Sequence, residues 1–576
     1  MILDASRLAT GQAHSPGGTM HHQGPISGIA HTGAYIATAG YDNQLILWEA
    51  ETRRAISRSL HGHLINQCAF SNDGRLLVSA SSDYSARIWE VPSLRLKAAL
   101  VGHADDVDMA VFSPDDKLVA TCALDRVIRI FDLEGHCLKT MHGHVGNILS
   151  VAWSSDGLRL VSSSVDGTVR EWDIANGCEV RCNDIDVRTD TLAIDAVGRI
   201  IAGDDFGRIV VIIDGRISYV QAHKAGVKKV IYDEASKVLA TLSYDRTIAM
   251  WQLDEQMQPS ELSRSTFPSS VWPRSGVFID ADRIAVGTFG SSYAIYDWRA
   301  DRWDLDGIVA DISLNAVAVA GDSVYAVGDA GTVLCDDEPA TELGSLCNFL
   351  LAADNRLFSG GQLGQLFDAR TGAVLYRHHS PLNCGAAFVR GGQTHIVVGA
   401  YTGEALVFAM RSDGGLDLVA ELKIYENAIK GLAANDQLIF SVCASTAVAW
   451  HDIDTLKLVR MVPRAHERIA NGGCLAGPRG FASIGRDRKL RIWEGDQVQT
   501  IETPHPNSIK CICASADRNL LMTGAYTGTL AGFDMTSRTW YSFARPTSAG
   551  ISSIAYDHRH GYFLASSYDG RIYVVN

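Results

Sequence analysis

Short apolar runs of four to six residues, broken by polar turns, recur along the whole chain. Typical breaks are Asn72-Asp73-Gly74 and Ser155-Asp156-Gly157, whose residue types favour tight turns. Such runs are too short for helices and match the length and spacing of β-strands. Superimposed on them is a longer rhythm. An aspartate precedes an aromatic by six residues at Asp42 and Trp48, Asp83 and Trp89, Asp125 and Phe131, Asp166 and Trp172, Asp245 and Trp251, and Asp487 and Trp493. Weaker copies fall at Val211, Tyr296, Cys335, Phe367, Phe408, Trp450, Phe533 and Val575, making fourteen positions separated by 32 to 45 residues. A period near 40 residues predicts a four-stranded unit. One such sheet exposes both faces, so it must stack on its neighbours, and closing the stack into a ring protects the faces.

The repeats carry further fixed residues. His63, Ser79, Asp83 and Trp89 occur in repeat two, and His144, Ser162, Asp166 and Trp172 in repeat four. Repeat three has His103, Thr121 and Asp125, repeat six has His223, Thr241, Asp245 and Trp251, and repeat twelve has His466, Ser483, Asp487 and Trp493. The hydroxyl lies four residues before the aspartate each time. With Gly62-His63, Gly102-His103 and Gly143-His144 early and Trp172-Asp173 late, these units resemble repeats of the WD-repeat β-propeller family. The resemblance implies that histidine, hydroxyl, aspartate and indole form one hydrogen-bonded chain inside each blade. A hydrolase triad reading fails on number, because a catalytic constellation occurs once and this one recurs.

Fourteen repeats exceed one ring of four to eight blades, so an all-β fold of two seven-bladed propellers with four-stranded antiparallel blades is expected. The division is placed at residues 11–305 and 306–576, with residues 1–10 supplying the outer strand of the last blade. A crossover near residue 265, within the stretch holding Pro259, Pro268 and Pro273, is the competing boundary. Blade edges between residues 328 and 471 stay open.

Composition narrows the function. The chain is 47% apolar and 20% charged, enough to bury a large core and unlike a disordered chain. A formal charge of −14 disfavours nonspecific attraction to nucleic acid or anionic lipid. Lys228-Lys229 and the group Arg486, Arg488 and Lys489 therefore point to solvated loops or protein contacts. Twelve cysteines show no disulfide framework, no stretch approaches the roughly 20 apolar residues of a spanning helix, and the N-terminus lacks a leader pattern, so the expectation is a cytoplasmic protein. Phosphate-binding loops, nucleophile elbows and zinc-protease motifs are missing, so neither a cofactor nor an enzyme is indicated. His21-His22, His378-His379 and the pair Cys511 and Cys513 lack the further ligands that a metal needs.

The residue before each repeat aspartate, or before its substitute, reads Tyr41, Ser82, Leu124, Val165, Asp204, Tyr244, Phe289, Tyr401, Arg486, Tyr526 and Tyr568. The resemblance places this turn on the top face by the channel mouth. Tyr41, Tyr244, Phe289, Tyr401, Arg486, Tyr526 and Tyr568 are thus expected to ring an exposed surface for protein or peptide partners, since tyrosine and arginine are enriched at binding hot spots. The leading expectation is a noncatalytic scaffold. Its rivals are an enzyme or small-ligand binder using channel carboxylates such as Asp204-Asp205 or Asp336-Asp337-Glu338, and an architectural likeness to actin-interacting double propellers.

Overall fold

The computed structural model describes residues 2–4, 20–268, 270–308 and 313–576. These residues form fourteen four-stranded sheets and, among them, no helix. In thirteen sheets the strands pair antiparallel in chain order, as in Ile65–Phe70, Leu76–Ser81, Ala86–Glu90 and Arg95–Leu100. The turns follow from their residues. At Ser71-Asn72-Asp73-Gly74, the Ser71 hydroxyl donates to Asp73 Oδ1 at 2.7 Å while Gly74 takes φ +70°, a conformation that costs glycine little.

Burial falls from the inside of each sheet outwards. Second strands such as Val238–Ser243 are buried at every position, whereas the fourth strand Gln497–Glu502 is mostly exposed and polar. The apolar core lies between adjacent sheets, where Leu45 and Leu47 of one blade meet Ile65, Leu77 and Trp89 of the next. Full burial of one such aliphatic side chain contributes about 1.5–3 kcal/mol, so each blade is stabilised mainly by its neighbours.

The chain divides into two compact units, Gly17–Val309 and Ala310–Asn576 together with Met1–Pro16. In the first unit the innermost strands touch in a cycle of seven that returns from Val271–Phe278 to Ile26–Thr32. In the second the cycle starts at Leu314–Ala320 and returns to it from Ile551–Asp557. Each unit is therefore a closed ring of seven blades, numbered here 1–7 and 8–14.

The rings close differently. Blade 7 meets blade 1 through a two-way backbone bridge between His22 and Ser291, through Ser275 Oγ donating to the Ile26 carbonyl, and through Arg53 donating to the Tyr293 carbonyl at 2.6 Å. In the second ring, Ile2–Asp4 pairs parallel with Ile572–Val575, Ile2 opposite Ile572 and Asp4 opposite Val574. The fourth strand of blade 14 thus comes from the other end of the chain. Residues 1 and 5–10 of the segment expected there lie outside the described residues. Pro259 begins the fourth strand of blade 6, and Pro273 stands in the first strand of blade 7.

Candidate functional site

Two repeated geometries need separating, one inside the blades and one at the ring centres. Inside blades 1, 2, 4, 6 and 12, histidine Nδ1 faces the aspartate at 2.9–3.2 Å and Nε2 faces a serine or threonine oxygen at 2.7–2.8 Å. The tryptophan indole donates to that same oxygen at 2.7–2.9 Å. Blade 3 keeps His103, Thr121 and Asp125, with Phe131 in the indole position. Burial pushes the Asp125, Asp245 and Asp487 carboxyls up, but the facing histidines together with neighbouring donors such as Arg129, Thr247 and Arg491 outweigh it and bring them down to about 2. These groups satisfy one another in the core, where a stranded polar atom costs about 1–3 kcal/mol.

One assignment needs correcting. In blade 2 the network histidine is His61, whose Nε2 lies 2.7 Å from Ser79 Oγ, and not His63, whose Nδ1 accepts from the Leu64 amide. The network histidine stands four residues before the first paired residue of its blade, as His103 stands before Val107 and His61 before Ile65. The glycine-histidine dipeptide at 62–63 is out of that register. His22 of blade 1 and His505 of blade 13 obey the same rule, and neither was counted in the network read from the sequence. A histidine eighteen residues before a buried hydroxyl marks His505 and Thr523 as it marks His103 and Thr121.

At the ring centres, every innermost strand begins with a register irregularity, in most blades one extra residue and in blade 7 the longer stretch from Val271 to Gly276. The bulged residues include Asp190 and Lys228 in the first ring and Lys430, Asn471 and Lys510 in the second. A second tier comes from the turn after each second strand. Its backbone N–H donates to the residue preceding the blade, as Tyr526 donates to the Ser508 carbonyl and Tyr41 to that of Pro25. This register corrects blade 5, where the turn residue is Asp205, and supplies Asp329, Gln362 and Ala444 in blades 8, 9 and 11. Asp204 is a buried strand end bonded to Arg208.

The expected surface is more enclosed than an exposed ring. Tyr41, Tyr244, Tyr401, Arg486, Tyr526 and Tyr568 are half-buried, and Phe289 is 6% exposed. The reason is the bulged tier beside them: the Trp272 indole packs on Tyr41 at 5.2 Å and on Phe289 at 5.9 Å. Lys228 Nζ likewise lies 5.0 Å from the Tyr244 ring centre.

The bulged tier escaped sequence reading because no residue type marks it, although it lies 14 to 18 residues ahead of each turn residue. Lys228 and Lys229 correct the reading as solvated loop, since both stand in the strand Val227–Asp233. Lys228 pairs with Asp190 at 2.9 Å and with Asp205, and Arg188 Nε reaches Asp190 Oδ1 at 2.7 Å. Arg274 adds a cation 3.7 Å from Asp190. Burial raises the Asp108 carboxyl to about 6 and lowers the Lys229 ammonium to about 8.

Elsewhere, Asp336 and Asp337 occupy a hairpin turn with positive φ. The His378 and His379 rings lie 4.1 Å apart, and His22 belongs to the blade network. No group of three metal-binding side chains comes together among the described residues, and no disulfide forms among them. No described helix is long and apolar enough to cross a membrane.

Five stretches, residues 15–49, 55–90, 94–132, 135–173 and 538–576, match the family model described as WD domain, G-beta repeat. Together they cover about a third of the chain. Autophagy-related protein 16 of Arabidopsis thaliana is 32% identical over 164 residues, covering 27% of this chain and 31% of that protein. Transducin beta-like protein 3 of Homo sapiens is 36% identical over 165 residues, covering 27% and 20%. Nuclear distribution protein nudF of Emericella nidulans is 29% identical over 164 residues, covering 24% and 37%. The chain spans between a fifth and two-fifths of the length of these relatives. The five matched stretches are similar to WD-type repeats, and the described residues form fourteen four-stranded sheets.

Proposed function

We propose that this protein is a noncatalytic scaffold in the cytoplasm, each seven-bladed ring presenting its central turns to a protein or peptide partner. The observation that carries the reading is the common register of the turn residues, which brings tyrosines and an arginine from separate blades to one ring centre. A closed ring holds those side chains still, which lowers the entropy lost when a partner docks. Tyrosine adds large contact area with few rotatable bonds. Two rings in one chain raise the effective concentration of the second contact once the first has formed.

The test is affinity capture from cell extract read by mass spectrometry, wild type beside the Tyr526→Ala, Tyr568→Ala double variant, with folding followed by calorimetry. Partners shed by the folded variant are expected. Identical partner sets would overturn the central turns as the contact.

A second reading rests on the first ring, where Asp108 occupies a bulged position like Asp190 and Lys228, and burial raises its carboxyl to about 6. A carboxyl perturbed in this way suits acid–base chemistry or the binding of a small polar ligand. Turnover or small-ligand binding abolished by Asp108→Asn would favour it over the scaffold; insensitivity to that substitution would remove it.

A further inference from the structure

Five consecutive blades of the second ring build a basic centre. Lys430 of blade 11 and Lys510 of blade 13 occupy bulged positions, and Arg486 of blade 12 occupies the turn position between them. Tyr401, Tyr526 and Tyr568 are the turn residues of blades 10, 13 and 14. Lys430 Nζ lies 4.7 Å from the Tyr401 ring centre, while Lys510 Nζ lies 5.9 Å and the Arg486 guanidinium 6.0 Å from that of Tyr526. Burial pushes the Tyr526 phenol up, but Lys510, Arg486 and Lys430 together outweigh it and hold it below the usual phenol range. All three cations therefore act on one point.

The matching lysine of the first ring shows what is different. Lys228 stands at the same strand position as Lys510, and Asp190 and Asp205 neutralise it. The Lys510 ammonium makes no ion pair or hydrogen bond among the described residues; its positive charge is favoured by Tyr526 and then Tyr568. The bulged residue beside it, Asn471, is neutral and donates to the Ile509 carbonyl. The carboxylate in the two tiers of this ring, Asp329, accepts from Ser313 at 2.6 Å and from Asn315 at 2.7 Å. Three positive charges thus share a half-buried space with phenol faces, in a chain whose formal charge is −14. Taking the Lys510 ammonium out of bulk water is costly unless an anion completes the site, and a rigid fork beside two ammonium groups suits an oxyanion.

We propose that the centre of the second ring binds an acidic segment of a partner polypeptide, one oxyanion seating against Lys510, Arg486 and Lys430 while the flanking chain packs on Tyr401, Tyr526 and Tyr568. This rests on the scaffold reading and adds the chemistry of the ligand. Carboxylate and phosphate share that chemistry. The phosphate carries the larger charge and three acceptor oxygens, so it binds more tightly at equal reach. The tyrosine faces hold the peptide but do not select its charge.

The experiment is calorimetric titration of the full chain with three peptides of neutral sequence that differ at one central residue: glutamate, phosphoserine or glutamine. The glutamate and phosphoserine peptides are expected to bind at least tenfold more tightly than the glutamine peptide. Raising the salt should weaken both acidic peptides. Lys510→Met should lower their affinity about tenfold, the loss of one charge-assisted contact. Lys510→Arg should retain most of it, and the triple variant Lys430→Met, Arg486→Met, Lys510→Met should bind all three peptides alike. Inorganic phosphate at millimolar concentration should compete with the phosphoserine peptide if the oxyanion alone is recognised.

Equal binding of the three peptides by wild type, no binding of any, or full retention by the folded triple variant would overturn the proposal. So would retention on anionic vesicles with no peptide preference. These outcomes involve no captured partner. Partner loss in the tyrosine variant alongside failed peptide binding would reject the acidic ligand and leave the scaffold standing, whereas an unchanged partner set would reject the scaffold contact itself.

Discussion

The two rings solve one problem with different atoms. In the first, five of seven blades place a histidine four residues before the first strand, where His22, His61, His103, His144 and His223 join a hydroxyl and an aspartate. In the second, the same position holds Leu343, His378, Tyr425, His466, His505 and Thr547, and a complete set of four survives in blade 12 alone among the described residues. Tyr425 substitutes neatly: its phenol meets Ser441 Oγ at 2.9 Å, the hydroxyl that a histidine would otherwise reach. Blade 14 instead joins Thr547 and Tyr573 to Asp569. The fold therefore asks for satisfied polar atoms at this depth, and it accepts any chemistry that satisfies them. The ring centres follow the same division, with charges paired in the first ring and cations set against phenols in the second.

The largest effect should come from breaking a complete network. Ser162 is fully buried and meets both His144 Nε2 at 2.8 Å and the Trp172 indole at 2.9 Å. Ser162→Ala strands both nitrogen atoms, at a cost of about 2–5 kcal/mol. At roughly 2–4 °C per kcal/mol, the thermal transition of the first ring should fall by several degrees while that of the second stays in place. An unmoved first transition would show that the network is decorative.

Acid should separate the rings next. His505 sits over Thr523 and Thr529, and the aspartate position of its blade holds Thr527. Burial lowers its pKa from 6.5 to about 4. A depressed histidine binds its proton more weakly in the folded state, so stability is full above pH 6.5 and is lost as pH falls towards 4. The loss is of order 2–3 kcal/mol. The aspartates of the first ring, held near 2 at Asp125 and Asp245, give way later, as pH falls from about 4 towards 2. Burial also depresses His61 and His103 of the first ring, so melting curves between pH 7 and 4 should show both rings softening, the second by more through His505, His378 and His466. Thr527→Asp, which restores the missing carboxylate, should flatten that decline; a decline of unchanged slope would exclude His505 as its source.

How much of this was legible in the sequence depended on how strongly chemistry tied a residue to its place. The period survived because it rests on turns and apolar alternation, which every blade needs. The hydroxyl-aspartate-indole spacing survived because three residues lie on one hairpin, ten positions apart at most, as with Ser79, Asp83 and Trp89. The histidine arrives across a loop of variable length, so His63 could pass for His61. The bulged tier was invisible because a bulge is set by strand geometry, and residues as different as Asp190, Lys228 and Asn471 fill it. Tyr526 and Arg486 were found from their place in the repeat, whereas Lys510, which faces them, was not.

The smallest effect is also the most discriminating, because it asks whether an unsatisfied histidine costs anything. His378 stands at the network position of blade 10, but Val398 replaces the hydroxyl, Thr402 the aspartate and Phe408 the indole. Its Nδ1 contacts the Ser380 backbone at 3.2 Å, and its buried Nε2 has no partner. Val398→Thr supplies an oxygen where Thr38 and Thr121 carry theirs, at the price of one buried methyl group, about 1 kcal/mol. Satisfying a stranded nitrogen returns about 1–3 kcal/mol, so the second ring should gain roughly 1 kcal/mol, read as a small rise in its transition. In a blade whose network is whole, the reverse change at Thr241, which meets His223 Nε2 and the Trp251 indole, should cost several times as much. A loss on Val398→Thr would mean that blade 10 has repacked around its bare imidazole, and that the second ring has replaced the polar network rather than merely let it decay.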